Sequence, residues 1–497
     1  MTITMPKPDQ AVLEGRDAFL AALSGCIPAD NLIADSVGLK AYECDALSAY
    51  RTLPLAVVLP ENTDQVADVV RLCHANQVKV VPRGSGTGLS GGALPLEDGV
   101  ILGLGKFNRI LEIDYANRCV TVQPGVTNLA ISQAVSAAGF YYAPDPSSQI
   151  ACSIGGNVAE NSGGVHCLKY GVTTNNLLGL EIVLMNGDVV RLGGKHMDSD
   201  GYDLLGILTG SEGLLGVITE VTVRILPKPA TVGAQLLGFG DLQSAGDCVA
   251  RIIAAGIIPA GLEMMDKPAV HATEDYCKAG YPLDVEALLI CELDGPSAEV
   301  DELSDRVEAI ARNCGATTIR RATSEDERQR FWLGRKSAFP AVGKISPDYY
   351  CIDGTIPRGR LSEVLTRMGE LSKQHGLGVV NVFHAGDGNL HPLIMYDEGK
   401  PGDLETTEAL AADILRLCVE VGGVLSGEHG IGVEKRDLMG VMFTEDDMKQ
   451  QQRIKCAFDP DGLLNPGKVF PLLHRCAELG HMHVHHGKLP FPDLPRF

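Results

Sequence analysis

The sequence predicts an α+β fold in two unlike parts, and three observations carry that prediction. A strand, helix, strand unit between residues 56 and 81 runs into a loop with five glycines in the nine positions 84–92. From residue 231 the rhythm changes to strand, helix, strand, strand, helix, strand, the order of a ferredoxin-like unit, and a similar order recurs between Tyr350 and Val421. Between the two parts, Pro227 and Pro229 end an alternating strand. The chain therefore divides into an extension (1–50), a first domain (51–230), a second domain (231–425) and a closing segment (426–497). The two halves of the second domain are expected side by side in one antiparallel sheet, as a lid over the first.

In the first 50 residues only a helix through Ala18–Leu23 stands out. Ala56-Val57-Val58-Leu59 reads as a strand stopped by Pro60. Thr63 is the expected cap of the next helix, whose apolar face is Val66, Val69, Val70 and Cys73. Val78–Val81 closes the unit, so the glycine loop starts at a strand's C-terminal end. Strands at Val100–Leu102, Ile110–Ile113 and Val120–Gln123 and a helix around Leu129–Ala138 follow. Asn186-Gly187 between Leu180–Met185 and Val189–Leu192 predicts a hairpin with both turn residues at positive φ, and Val217–Ile225 is an alternating strand. In the second part, strands Gln235–Phe239, Leu262–Met265, Leu288–Leu293 and Thr317–Arg321 flank helices Asp247–Ala255 and Val300–Arg312.

Composition narrows the function. A length of 497 residues with 45% hydrophobic content suits two or three soluble domains with sizeable cores. No charge-free apolar run reaches the roughly 20 residues of a membrane span. The start, MTITMPKPDQAVLEG, lacks a signal peptide's apolar region, so a cytoplasmic location is expected. A net charge of -21 argues against nucleic acid, and solubility is enough to account for it. None of the 14 cysteines forms a CxxC or CxxxxC pair, the spacings an iron–sulfur cluster or thiolate zinc site needs. Electrons from any redox chemistry would then leave through another molecule.

Without Cβ atoms, the amides of Pro82-Arg83-Gly84-Ser85-Gly86-Thr87-Gly88-Leu89-Ser90-Gly91-Gly92 can turn inward together as a nest for phosphate oxygens. Gly86-x-Gly88-x-x-Gly91 satisfies the dinucleotide fingerprint formally, yet Pro95 and the strand at Val100 leave no helix to face a pyrophosphate. No Gly-Lys-Ser/Thr follows, which removes a nucleotide triphosphatase. Two readings remain: a phosphorylated cofactor, or a surface loop without a ligand. A second small-residue region, Pro144–Ser148 with Ile154–Gly164, is another place where backbone must approach something closely. Two such loops argue for a shared ligand.

The string PRGSGTGLSGG resembles the pyrophosphate loop of FAD-linked oxidases and dehydrogenases of the vanillyl-alcohol oxidase type. The second small-residue region and Thr209–Gly213 resemble that family's flavin-contacting segments, and FDPDGLLNPGK resembles its closing signature. The resemblance implies a two-part FAD-binding domain of the vanillyl-alcohol oxidase (PCMH) type with a ferredoxin-like, antiparallel-sheet cap. It implies cofactor contacts from Pro82, Arg83, Gly84, Ser85, Gly86, Thr87, Gly88, Ser90 and Gly91, and from Pro146, Ser147, Gly155, Gly156, Asn157, Ser162, Gly163 and Gly164. Glu212, Gly213, Gly216, Ile218 and Asn465 complete that set. Many relatives with flavin fixed to protein carry a histidine where this chain has Thr87, so non-covalent FAD is implied.

His384-Ala385-Gly386-Asp387-Gly388-Asn389-Leu390-His391 is the sharpest chemical signal of the second half. Its central turn can bring both imidazoles to one side, and Glu428-His429 lies between glycines in Ser426–Gly432. Two neutral nitrogens and a carboxylate are a common open-site complement for a divalent metal such as Zn or Mn. An isolated histidine pair reads more readily as satisfied turn residues; the Glu-His dipeptide shifts the balance. HAGDGNLHP and SGEHGIG resemble the metal-site segments of FAD-linked D-2-hydroxyacid dehydrogenases. That resemblance implies His384, His391 and Glu428 as ligands and His429 as the base that takes the substrate hydroxyl proton while hydride passes to the flavin. Arg335, in Phe331–Ser337, matches the family's arginine for a substrate carboxylate, although the residues alone allow a surface salt bridge equally. Relatives acting on 2-hydroxyglutarate place a lysine near the strand Tyr350–Asp353, where this chain has Cys351. Either Lys344 substitutes, or there is no second carboxylate and the acid is small, such as glycolate or D-lactate.

The tail carries His474, Cys476, His481, His483, His485 and His486, a pattern for metal binding or for a flexible, partner-docking extension. With Tyr349-Tyr350-Cys351 and Ala151-Cys152-Ser153, it resembles the FAD-linked subunit family of bacterial glycolate oxidases over nearly the whole chain. This implies oxidation of glycolate to glyoxylate beside a second flavin-fold subunit and an iron–sulfur subunit, which would hold the chain at the inner membrane. Open alternatives are a stand-alone D-lactate or D-2-hydroxyglutarate dehydrogenase, a metallohydrolase without flavin, and a flavin-binding subunit without catalysis.

Overall fold

The computed structural model of the chain describes residues 5–196 and 201–472, so the histidine-rich tail lies outside the described residues. Strands Ala56–Val58, Gly99–Gly103 and Lys79–Arg83 run parallel, with Leu32–Ile33 antiparallel at one edge. The expected strand, helix, strand unit is present, but Gly99–Gly103 inserts between its two strands and pairs with both. The helix Thr63–Ala75 buries Val66, Val69, Val70 and Cys73 against this sheet. Its cap differs from expectation. Asn62 Oδ1 accepts from the N–H of Gln65 at 2.9 Å, while Thr63 begins the helix and donates its hydroxyl to Glu181 at 2.8 Å. Either side chain suits a cap; the buried carboxylate on the neighbouring sheet claims the threonine.

That neighbouring sheet is antiparallel, in the order Ile110–Asp114, Cys119–Val122, Val217–Arg224, Leu177–Val183 and Val189–Gly193. Its last hairpin departs from a two-residue turn: Leu184 and Asp188 close the ladder, and only Gly187 has positive φ. The loop therefore has three residues, with glycine at the left-handed position. The second small-residue region is also not a loop throughout, since Ile154–Glu160 forms a helix capped by Ser153.

The second half forms one seven-stranded antiparallel sheet. The order is Thr318–Arg321, Thr231–Phe239, Ala287–Gly295, Gly261–Asp266, Val379–Phe383, Pro392–Tyr396 and Asp348–Cys351. In each ferredoxin-like half the third strand lies between the first and second, and the halves join where Met264 faces Phe383. Alternation sends Leu289 and Cys291 to one core, under helices Leu242–Ala254, Ser297–Asn313, Leu361–His375 and Asp403–Glu420. Leu288 and Ile290 point to the other core, with Phe331 and Trp332 of the helix Glu325–Lys336. An unexpected helix, Lys267–Cys277, joins this second face after its cap Asp266.

This cap domain is tied to the first domain by side chains. His166 meets Asp145 at 2.8 Å and the cap's Glu292 at 3.1 Å, and Tyr170 donates to Asp294 at 2.5 Å. The closing segment returns to the first sheet, where Val80 donates to Leu463 O and accepts from Asn465 N–H. Among the described residues no helix is long and apolar enough to cross a membrane. Asn62→Ala is expected to cost about 1 kcal/mol of stability, read as a lower urea midpoint for the first domain; an unchanged midpoint would return the capping role to Thr63.

Candidate functional site

A cavity of about 430 Å³ runs from the glycine loop to the junction with the cap. The loop follows the strand Lys79–Arg83, and its glycines let it lie tight against the helix Ile154–Glu160. A Cβ on Gly84 would fall 2.2 Å from Ser153 Oγ. Arg83 anchors the entry, donating to Cys44 O at 2.6 Å with its guanidinium over Tyr42. Among the described residues, no acceptor takes a hydrogen bond from the backbone N–H groups of residues 85–92. Of these residues, 85–89 and 92 line the cavity, and inward-turned amides of this kind suit an anion such as a cofactor pyrophosphate.

In the second domain, the turn after His384 folds the chain back through the His384 to Asn389 bridge and sets the two imidazoles 5.0 Å apart at 80°. His384 Nδ1 donates to Glu263 Oε1 at 2.7 Å, which fixes its tautomer and turns Nε2 toward Glu428, 3.6 Å away. His391 Nε2 lies 3.1 Å from the same Glu428 oxygen yet makes no hydrogen bond. These three ligand atoms lie within 4.8 Å of one another. A buried nitrogen without a partner, aimed at a point shared with a second imidazole and a carboxylate, is the donor set a divalent cation takes. Burial opposes charge on His384, but Glu263 and Glu428 outweigh it and hold its pKa well above the usual value. Burial likewise opposes the Glu428 carboxylate, and the two histidines outweigh it.

His429 stacks on His391, ring centroids 5.0 Å apart and 3° from parallel. Its Nδ1 has no hydrogen-bond partner and sits 3.8 Å from Asp353 Oδ1. Burial lowers its pKa to about 4 against the pull of Asp353, so the ring is a neutral imidazole able to accept a proton.

The expected cofactor positions all line the cavity except five. Ser90 donates its hydroxyl to His429 O, and Gly91 packs on Val433. Gly163 donates its N–H to Glu428, and Gly164 lies against Asp145 and Pro146. Asn465 donates to the carbonyls of Gly92 and Glu212. His391, Glu428 and His429 line the same cavity, with His384 behind them. Arg335 is not on its wall. It is buried, with Nε and Nη2 each 2.7 Å from Glu263 Oε2, so it backs the carboxylate that orients His384. Lys344 is half-exposed and paired with Asp275.

Sequence reasoning missed Glu263 and Asp353. Asp353 Oδ2 accepts the N–H groups of Gly427, Glu428 and His429 at 3.0, 2.8 and 2.7 Å, and Oδ1 pairs with the buried Lys435 at 2.7 Å. A lone carboxylate in the apolar run Leu262-Glu263-Met264 was a usable signal for the first, because such a charge is buried only when paired. Asp353 carries no comparable signal.

A profile for the FAD binding domain matches residues 54–193, and one described as FAD linked oxidases, C-terminal domain, matches residues 228–469. The chain is 58% identical over 482 residues to the glycolate oxidase subunit GlcD of Escherichia coli (strain K12), covering 97% of each. It is 40% identical to the protein of that name from Bacillus subtilis (strain 168), over 89% of this chain and 94% of that one. Among solved structures, 4-ethylphenol oxidase from Gulosibacter chungangensis superposes with a TM-score of 0.79 at 20% identity, over 94% of this chain and 99% of that one. At that identity the likeness speaks for the fold alone. Glu263→Gln strands the buried Arg335 charge and is expected to cost about 3–5 kcal/mol, measured by denaturant unfolding; a loss below about 1 kcal/mol would mean the pair is effectively solvated.

Proposed function

The chain belongs to the FAD-linked oxidase family, and on that premise we propose that it oxidises glycolate to glyoxylate as the FAD-bearing catalytic subunit of a complex. One observation carries the reading: a single cavity is lined both by unpartnered loop amides and by His391, Glu428 and His429. The amides suit the pyrophosphate of FAD, whose bound ring supplies the hydride acceptor for the substrate Cα. Thr87 stands at the loop position where a covalent link would need a nucleophilic ring nitrogen, so FAD is held without one. His384, His391 and Glu428 would hold a divalent metal, whose chemistry there is to lower the pKa of the substrate hydroxyl.

The chain's own residues do the rest. Asp353 fixes the backbone of His429, and with Nδ1 turned toward Asp353, the imidazole takes the hydroxyl proton at Nε2. The positive ring that results is stabilised by the Asp353 carboxylate. Glu263 and Arg335 keep His384 in register. For the substrate carboxylate, Arg335 would have to exchange Glu263 for substrate, whereas Lys336 already lines the cavity beside Phe339 and Pro340. Those two side chains close the wall around a small acid. Electrons would then leave to a second flavin-fold subunit and an iron–sulfur subunit, a reading supported by cysteines in this chain that lack cluster spacing. Such partners would also supply any attachment to the inner membrane.

Glycolate added anaerobically to the reconstituted chain is expected to bleach its visible flavin band, and acid denaturation to release the flavin. Faster bleaching by D-lactate would move the assignment to the alternative substrate, and no flavin uptake would overturn the reading. His429→Ala is expected to lower the bleaching rate about 10²–10⁴-fold with the flavin spectrum kept; an unchanged rate sinks the assignment of the base. His391→Ala should lose bound zinc or manganese in elemental analysis, and metal retained at the wild-type level would exclude the three-residue site.

A further inference from the structure

Glu160 ends the helix Ile154–Glu160 and lines the same cavity as His391, Glu428 and His429. Its Oε2 is buried against Gly430 without a hydrogen-bond partner, while Oε1 lies toward Gly92, which lines the cavity, and nothing in the proposed chemistry uses this carboxyl. Glu212 stands beside it. A Cβ on Gly430 would lie 2.2 Å from Glu160 Oε2 and 2.8 Å from Glu212 Oε1, which puts the two oxygens within about 5 Å of each other. Gly92 lies against the same pair from the opposite loop. Two acids therefore occupy a space kept open by two glycines.

Their partners are unequal. Glu212 accepts the N–H groups of Ile431 and Gly432 at 2.6 and 2.7 Å, one on each oxygen. Backbone donors favour the ionised form, so Glu212 carries the charge. A second charge beside it and out of water is disfavoured, as in any carboxyl pair sharing a small site, and the proton of the pair stays on Glu160. Burial and the Glu212 charge both push Glu160 well above the usual carboxylate range; Asp45 and Asp353 act in the same direction, and Lys435 opposes them. Burial leaves Glu212 above its usual value as well, with its two N–H bonds and Lys435 opposing the rise.

We propose that Glu160 is a neutral carboxylic acid that donates a hydrogen bond from the cavity wall to the bound flavin and thereby raises the flavin's reduction potential. The inference rests on the FAD reading above. A flavin that has gained a hydride carries one more negative charge than before, so a neutral donor beside it favours reduction and an ionised carboxylate opposes it. The proton stays on Glu160 throughout, and the proton and hydride balance of the oxidation is untouched.

Spectroelectrochemical titration of the full-length flavoprotein tests this without reference to turnover. Glu160→Gln keeps a neutral donor of the same length and is expected to hold the wild-type midpoint potential. Glu160→Ala should weaken retention of reduced over oxidised flavin about tenfold, a fall of about 30 mV for a two-electron couple. Glu212→Gln frees Glu160 to ionise and should also lower the potential, an effect lost when Glu160→Gln is combined with it. A wild-type potential in Glu160→Ala, or an equal fall in Glu160→Gln, overturns the inference while leaving the FAD reading standing. A wild-type chain that takes up no flavin overturns both.

Discussion

The arrangement of the site depends on one carboxylate. Asp353 lies just past the edge strand Asp348–Cys351 and is fully buried, and the loop from Ser426 to His429 wraps around it through three successive backbone N–H bonds and the Ser426 hydroxyl. Lys435 on the far oxygen offsets the cost of burying that charge. Burial works against the charge, but His429, Lys435 and the backbone donors together hold the Asp353 pKa at about 2. Glu428 and His429 thus take their positions from main chain held by an acid distant in sequence.

The same loop is held from the other side by the first domain. Glu212 takes the N–H groups of Ile431 and Gly432, while Ser90 O takes those of Val433 and Glu434 and its hydroxyl reaches His429 O. Gly163 adds a bond to Glu428 itself. The candidate site is therefore a property of the junction: neither domain alone has both the glycine loop and a positioned Glu428–His429 pair. Any shift of the cap relative to the first domain must pass through this loop, because it is fastened to both.

What was legible in the sequence was local. The glycine loop, the two histidines flanking a turn and the order of strands and helices in each half all have short-range causes, and the fold followed from them. What was missed had rival local solutions settled by distant contacts. Asn62 and Thr63 are both competent caps, and Glu181 decides between them. The glycines of Ile154–Glu160 suggest a loop by propensity. Gly155 instead packs against Pro124, where a Cβ would fall 2.6 Å away, so the glycines serve close approach of a helix. Arg335 was legible as a functional arginine in type but not in contact, since Glu263 lies on a strand far back in the sequence.

The edge of the strand Lys79–Arg83 is completed by Leu463 and Asn465, and Asn465 also ties down Gly92 and Glu212. On the ribosome, the first domain emerges long before these residues are made, with that edge unpaired and the end of the glycine loop unsupported. Translation order and assembly order are therefore uncoupled: a nascent chain can fold its sheets early, but it finishes the cofactor pocket only when almost all of it has been synthesised. Termination just short of residue 465 yields a polypeptide with nearly every element of the fold but with Gly92 and Glu212 left unfastened.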